Sequence, residues 1–115
     1  MPQETQTALL RRIAEDHDSI QEAIRSLVEA YLARDLAAIW KLNAEGMGND
    51  VDIRPHNEIF LQRVLFDRNV KMAQRLAPLL DKGGVFAAFG ALHLYGARGV
   101  LALLERQGFK VQRIY

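Results

Sequence analysis

The fold is decided by the stretch from Val85 to Tyr115, which reads VFAAFGALHLYGARGVLALLERQGFKVQRIY. Its first five residues, Val85–Phe89, are apolar at every position and bounded by glycines, a pattern typical of a strand covered on both faces. Residues Ala97–Gln107 repeat apolar positions at helical spacing and end at a glycine. Phe109–Tyr115 has the composition of a last strand. The sequence therefore predicts strand, helix and strand across residues 83–115.

The residues before this stretch carry helical patterns. Residues 19–82 are predicted to be helical, because apolar positions recur every three to four residues along most of their length. One helix is expected to start at the capping box formed by Ser19 and Glu22, and another at Asp35, whose side chain suits an N-cap. Glycines are expected to end that second helix in a loop over residues 46–50.

Together these patterns predict an α+β fold, with a helical N-terminal two-thirds followed by the strand–helix–strand segment. Residues 1–18 are interpreted as a weaker helical leader. The 115 residues make one domain or the C-terminal half of a larger one. Two strands form a marginal sheet, and an apolar strand at its edge exposes unpaired backbone groups. We therefore expect the sheet to be completed by another chain or by a missing N-terminal half.

Composition excludes several classes of protein. The chain has no cysteine, so disulfides and thiolate metal sites are excluded. No apolar run reaches the roughly 18 residues of a membrane span. Residues 1–60 hold six Lys and Arg against eleven Asp and Glu, whereas residues 61–115 hold nine against three. These basic residues are spaced singly and lack a stacking set of aromatics, so we interpret them as solvated helix faces and predict no nucleic-acid partner. The compartment stays open between cytoplasm and periplasm.

The candidate for chemistry in the deciding stretch is His93, which follows the apolar run and Gly90. Proteins with α/β sheets place reactive or ligating groups at the carboxyl ends of buried strands. The competing interpretation is a hydrogen-bonded structural histidine, because one imidazole does not hold a catalytic metal and His17 and His56 have no ligand spacing to it. The sequence contains no phosphate-binding glycine loop and no nucleophile elbow.

The order of several short motifs resembles the TraB/GumN family, which includes Tiki-like proteins. The similarity covers about residues 19–115. It rests on AYLARDL at 30–36, DRNVKMAQRL at 67–76, VFAAFGALHLYG at 85–96, GVLALL at 99–104 and GFKV at 108–111. Gly90-Ala-Leu-His93 matches the second GxxH motif of the family. Tyr95 departs from the family pattern, which commonly has proline there, and this loosens the conformational restraint on the loop.

The resemblance implies a bacterial protein related to metal-dependent hydrolases and proteases. By that resemblance His93 is a metal or catalytic ligand, Arg68 faces the site from a helix, and Asn69 lies beside it. The resemblance leaves the cofactor unknown, although a divalent metal is compatible with the family. A peptide is a compatible substrate. Because this sequence lacks the first GxxH motif and its acidic partner, we expect an incomplete active site.

Two interpretations of the function follow from this resemblance. In the first, the chain is the C-terminal portion of a metal-dependent hydrolase and acts with a missing N-terminal half or as a homo-oligomer. In the second, the chain is a non-catalytic oligomerising interaction module that keeps the core of the fold.

Overall fold

The computed structural model describes residues 1–48 and 51–114. The chain divides into two compact units, Met1–Arg63 and Val64–Tyr115. No helix within the described ranges is long and apolar enough to cross a membrane.

The described residues of the first unit form four helices: α1 (Gln3–Glu15), α2 (His17–Leu32), α3 (Leu36–Gly48) and α4 (Arg54–Leu61). Helix α1 packs against α2 and α4, and α3 packs against α2 and α4. Each helix, or the turn next to it, has at least one side chain in the interior of this unit, in agreement with the apolar periodicity of the sequence. Its buried residues are Thr5, Leu9, Ala30, Ile39, Ile53 and Asn57.

The helix boundaries of this unit confirm one predicted cap and correct another. The backbone N–H of Ala38 donates to Asp35 Oδ1 at 3.0 Å, as expected of an N-cap. The predicted start at Ser19 is wrong, because α2 already begins at His17 and its preceding residue makes no side-chain cap. The loop predicted from Gly46 is wrong over its first three residues, where α3 continues to Gly48, and Asn49 and Asp50 lie outside the described residues.

The second unit is built on one long helix. A π-type turn at Gln62–Phe66 leads into α5 (Asp67–Lys82), which ends at Gly83 with a left-handed φ of 76°. A short helix, α6 (Ala91–Leu94), and a last helix, α7 (Val100–Arg106), follow. Helix α7 packs against both α5 and α6. The core of the unit consists of Ala73, Val100 and Leu104, with partly buried Met72, Leu76, Ala77, Leu80, Phe89, Leu94, Leu103 and Phe109 around it.

The predicted α+β fold is wrong, because the described residues contain helices and no strand. The helix of the predicted strand–helix–strand segment is present as the shorter α7, but Val85–Phe89 and residues 109–114 have no regular structure. Strands are defined by ladder hydrogen bonds to a neighbour, and neither segment has a partner strand within the described chain. The expected burial is also wrong in part, since Phe86 is 93% exposed.

Candidate functional site

The candidate site lies where α6 meets α5 in the second unit. The backbone N–H of His93 donates to the carbonyl of Gly90 at 2.9 Å, which closes the single turn of α6. The imidazole of His93 is thereby held against α5, where its Nδ1 lies 2.6 Å from Oδ1 of Asn69. A four-residue turn thus presents one histidine to one buried asparagine.

The carboxamide of Asn69 fixes the orientation of this imidazole. Asn69 is 1% exposed, and its Nδ2 donates to the backbone carbonyl of Arg98 at 2.9 Å. Because the amide nitrogen is used in that bond, the oxygen Oδ1 faces the ring and acts as an acceptor. The ring nitrogen Nδ1 of His93 therefore carries the proton, and Nε2 of the neutral ring keeps its lone pair.

Electrostatics keep this imidazole neutral. Burial lowers the pKa of His93 below its ordinary value, and the positive charge of Arg68 lowers the pKa further. A neutral ring with Nδ1 as donor leaves Nε2 as the atom that can accept a proton or coordinate a cation. The geometry of the site therefore leaves Nε2 of His93 available to coordinate a cation or to accept a proton.

The three residues named from the family resemblance come together in the second unit. Arg68 and Asn69 are consecutive at the start of α5, and His93 reaches both of them, through a hydrogen bond to Asn69 and through the charge of Arg68. Their chemical roles remain predictions. The sequence analysis missed the carbonyl of Arg98 as the anchor of Asn69, since a backbone acceptor leaves no trace in the residue type.

Arg98 and Gly99 support this arrangement from the turn before α7. The guanidinium of Arg98 lies 3.7 Å from the centroid of the Phe66 ring, a cation–π contact. At Gly99 a Cβ atom would come within 2.6 Å of the Tyr95 carbonyl oxygen and 2.7 Å of the Leu94 carbonyl oxygen. Only glycine allows the backbone at residue 99 to come so close to these two carbonyl oxygens. The glycines that follow His93 in the sequence could have indicated such a close backbone contact.

The described residues do not complete a metal site. Over residues 1–48 and 51–114, no three His, Asp or Glu side chains converge as a metal would require. His56 is used elsewhere, with its Nδ1 3.1 Å from the hydroxyl of Thr5, and His17 lies 3.4 Å from the Gln21 amide. Within the described residues, His93 is therefore not part of a set of three such side chains.

Comparison with known proteins identifies the family of the chain. The family model described as the TraB/PrgY/gumN family matches residues 1–113. Metalloprotease TIKI2 of Xenopus tropicalis is 30% identical over 100 residues, which are 75% of this chain and 19% of that protein. Metalloprotease TIKI1 of Danio rerio is 31% identical over 75 residues, which are 56% of this chain and 15% of that protein. No solved structure matches the chain.

These relatives qualify the expectations drawn from the sequence. The chain spans less than a fifth of the length of the curated relatives it matches. The expected bacterial character is wrong for these relatives, which are eukaryotic and include a Tiki homologue of Nematostella vectensis that is 31% identical over 61 residues. The resemblance to the family is confirmed, and the chain belongs to the TraB/PrgY/gumN family.

Proposed function

We propose that this chain supplies one part of a metal-dependent peptidase site and has no peptidase activity by itself. The observation that carries the proposal is the hydrogen-bonded series from His93 Nδ1 to Asn69 to the Arg98 carbonyl, which leaves Nε2 free to coordinate. Histidines that bind metals commonly donate their other ring N–H to an oxygen acceptor in this way. The matches to proteins named metalloproteases support the reaction class.

The remaining ligands of such a site come from outside the described residues. A catalytic zinc typically has three protein ligands, and the described residues contain no group of three side chains that could hold one. In this proposal another segment of a larger family domain supplies the others. In this proposal Arg68 holds a carboxylate or stabilises a developing negative charge on the substrate.

A second candidate function is a non-catalytic interaction module. The observation in its favour is the apolar surface of the second unit, where Phe86 is almost fully exposed and Val85 is also exposed. Such side chains are commonly covered by a partner. In this case His93 is a structural residue that holds α6 on α5, and Nε2 has no ligand.

The experiment that separates the two functions follows the ring nitrogens of His93 by NMR. Long-range proton–nitrogen correlation is expected to show a neutral ring protonated at Nδ1. Titration with cobalt(II) is expected to broaden signals around His93 only at millimolar metal. The broadening is expected to disappear in His93→Ala and to need about tenfold more metal in Asn69→Ala. The exposed His17 provides the control, because His17→Ala leaves the effect unchanged.

Three outcomes contradict the proposal. Broadening centred on His17 or His56 would show that His93 is no better a ligand than an ordinary histidine, and the interaction module would be favoured. Tight stoichiometric binding that His93→Ala abolishes would show a complete site, assembled from two chains. Hydrolysis of a fluorogenic peptide mixture by the purified wild-type chain, lost in His93→Ala, would contradict the claimed inactivity.

A further inference from the structure

We propose that the basic ridge of α5, formed by Arg68, Lys71 and Arg75, binds an acidic peptide segment beside His93. This inference rests on the proposed function, because it assigns a class of peptide to the same site. The three residues are spaced at i, i+3 and i+7, which places them on one face of α5. Arg68, the first residue of the ridge, precedes Asn69, which hydrogen-bonds to His93, and the other two ridge residues lie further along α5.

The basic ridge lines a groove. Its three cationic side chains and Met72 surround a hollow of about 220 Å³ on the surface of the second unit. Met72 also packs against the core of the unit, so it joins the floor of the groove to the folded interior. The groove therefore combines an apolar floor with three cationic side chains.

The cations of the ridge have no counter-charge of their own. Arg68, Lys71 and Arg75 make no ion pair and no hydrogen bond to any residue of 1–48 or 51–114. By contrast, Arg12 on α1 pairs with Asp16 at 3.2 Å, and Lys41 on α3 pairs with Glu45 at 3.8 Å. Three adjacent unpaired cations repel one another, so an anionic ligand gains both attraction and relief of that repulsion.

The length of the ridge favours a peptide over a small anion. Seven residues of α-helix span about 10 Å, which is the length of about three residues of an extended peptide. Carboxylates along such a segment can meet Lys71 and Arg75 in succession, whereas one phosphate or carboxylate reaches only part of the ridge. The groove lining contains no aromatic ring on which bases could stack, so single-stranded nucleic acid fits it less well.

The direction of the ridge gives the acidic segment a place relative to the site. A peptide with acidic side chains on Lys71 and Arg75 extends past Arg68 towards His93, because His93 contacts α5 at Asn69, the neighbour of Arg68. The ridge would then select peptides by their acidic residues, and the peptide bonds that follow would lie near the imidazole. The basic ridge is thus assigned as a specificity-determining surface, in which Lys71 and Arg75 bind the peptide and take no part in the chemistry.

The test measures binding of a fluorescein-labelled peptide of six glutamates by polarisation at low ionic strength. A peptide of six glutamines is the neutral probe. Lys71→Glu and Arg75→Glu are each expected to weaken binding of the acidic peptide about tenfold. Lys110→Glu changes the net charge of the same unit equally and serves as the matched control, with an expected change below about twofold.

Several results would overturn this inference. Equal weakening by Lys110→Glu would show that overall charge, and no built groove, attracts the peptide. Equal binding of the glutamine peptide would remove the electrostatic argument, and tighter binding of a labelled hexathymidylate would indicate a nucleic-acid surface instead. The ring tautomer of His93, measured in the same samples, is expected to be unchanged by both ridge variants. Failure of the ridge is therefore distinguishable from failure of the His93 assignment.

Discussion

At the scale of single residues, Asn69 fixes the orientation of the His93 ring. A buried side-chain amide needs partners for both its ends, and Asn69 finds one in the Arg98 carbonyl and the other in the imidazole. The family resemblance, which rests on the sequence alone, implies that Arg68, Asn69 and His93 share one site. Residue types alone could not give the hydrogen-bonded order, because that order depends on a backbone carbonyl 29 residues away in the chain.

The lowered pKa of His93 predicts a pH dependence of stability. The unfolded chain takes up a proton at the ordinary value of 6.5, whereas burial and Arg68 oppose protonation in the folded chain. The contribution of His93 is therefore fully present above about pH 6.5 and is lost as the pH falls through the lowered pKa.

Urea denaturation between pH 8 and pH 5 would measure this effect in the wild type and in His93→Gln. The wild type is expected to lose more unfolding free energy on acidification, since the variant lacks the titrating ring. His17 and His56 are common to both proteins and cancel in the comparison. Identical pH profiles would show that His93 titrates alike in the folded and unfolded chains.

At the scale of elements, the helices were the predictable part of the fold. Apolar periodicity and the Asp35 cap indicated helices that the structure contains, because these signals are local. The strands could not be predicted correctly, since a strand exists only with a neighbour and no local pattern supplies one. The one-turn α6 was missed because Gly90-Ala-Leu-His93 is too short to carry a period.

The turn between α6 and α7 predicts opposite results for two glycines. Gly99→Ala is expected to destabilise the chain by about 2 kcal/mol or more, because the new Cβ overlaps two backbone carbonyl oxygens that cannot move independently. Gly90→Ala is the control, since its Cβ would meet His93 Cδ2 at an ordinary 3.5 Å. Thermal unfolding of both variants would check this, and similar melting temperatures would contradict the close approach at Gly99.

The segment before α6 predicts a contrast between two phenylalanines. Phe89 is partly buried against the core of the second unit, so Phe89→Asp would desolvate a charge and is expected to be severely destabilising. Phe86→Asp is expected to leave the fold of the single chain intact because Phe86 is exposed there, and Lys71→Ala to stay within about 0.5 kcal/mol. Equal losses of unfolding free energy in the two phenylalanine variants would refute the assigned burial of Phe89.

At the scale of the whole molecule, both units leave apolar side chains exposed to solvent. In the first unit, α2 exposes an apolar face at i, i+4, i+7 and i+8. This face consists of Ile24, Val28, Tyr31 and Leu32. In the second unit Phe86 and Ile114 are exposed. The sequence pattern predicted interior positions for several of these side chains, and it could not show whether this chain or a partner covers them.

We therefore predict that the purified chain is at least dimeric. Burial of these apolar side chains between copies is the physical reason, since contiguous exposed apolar surface favours association. Light scattering at micromolar concentration should give a mass of two or more chains. Two variants test the two apolar surfaces separately. Val28→Glu places a charge on the exposed face of α2, and Phe86→Asp places a charge on the exposed surface of the second unit. A monodisperse monomer of the wild type would contradict the prediction.

The irregular segment around Phe86 also governs how long the chain survives in contact with proteases. Proteases cut exposed chain that can adopt their extended binding conformation, and the Phe86–Ala87 bond lies in such a stretch, with an aromatic side chain that chymotrypsin prefers. Limited digestion should nick this bond before any bond within a helix. If association covers the segment, the nicking rate should fall as the chain is concentrated. First cleavage inside a helix would show that the segment is already protected.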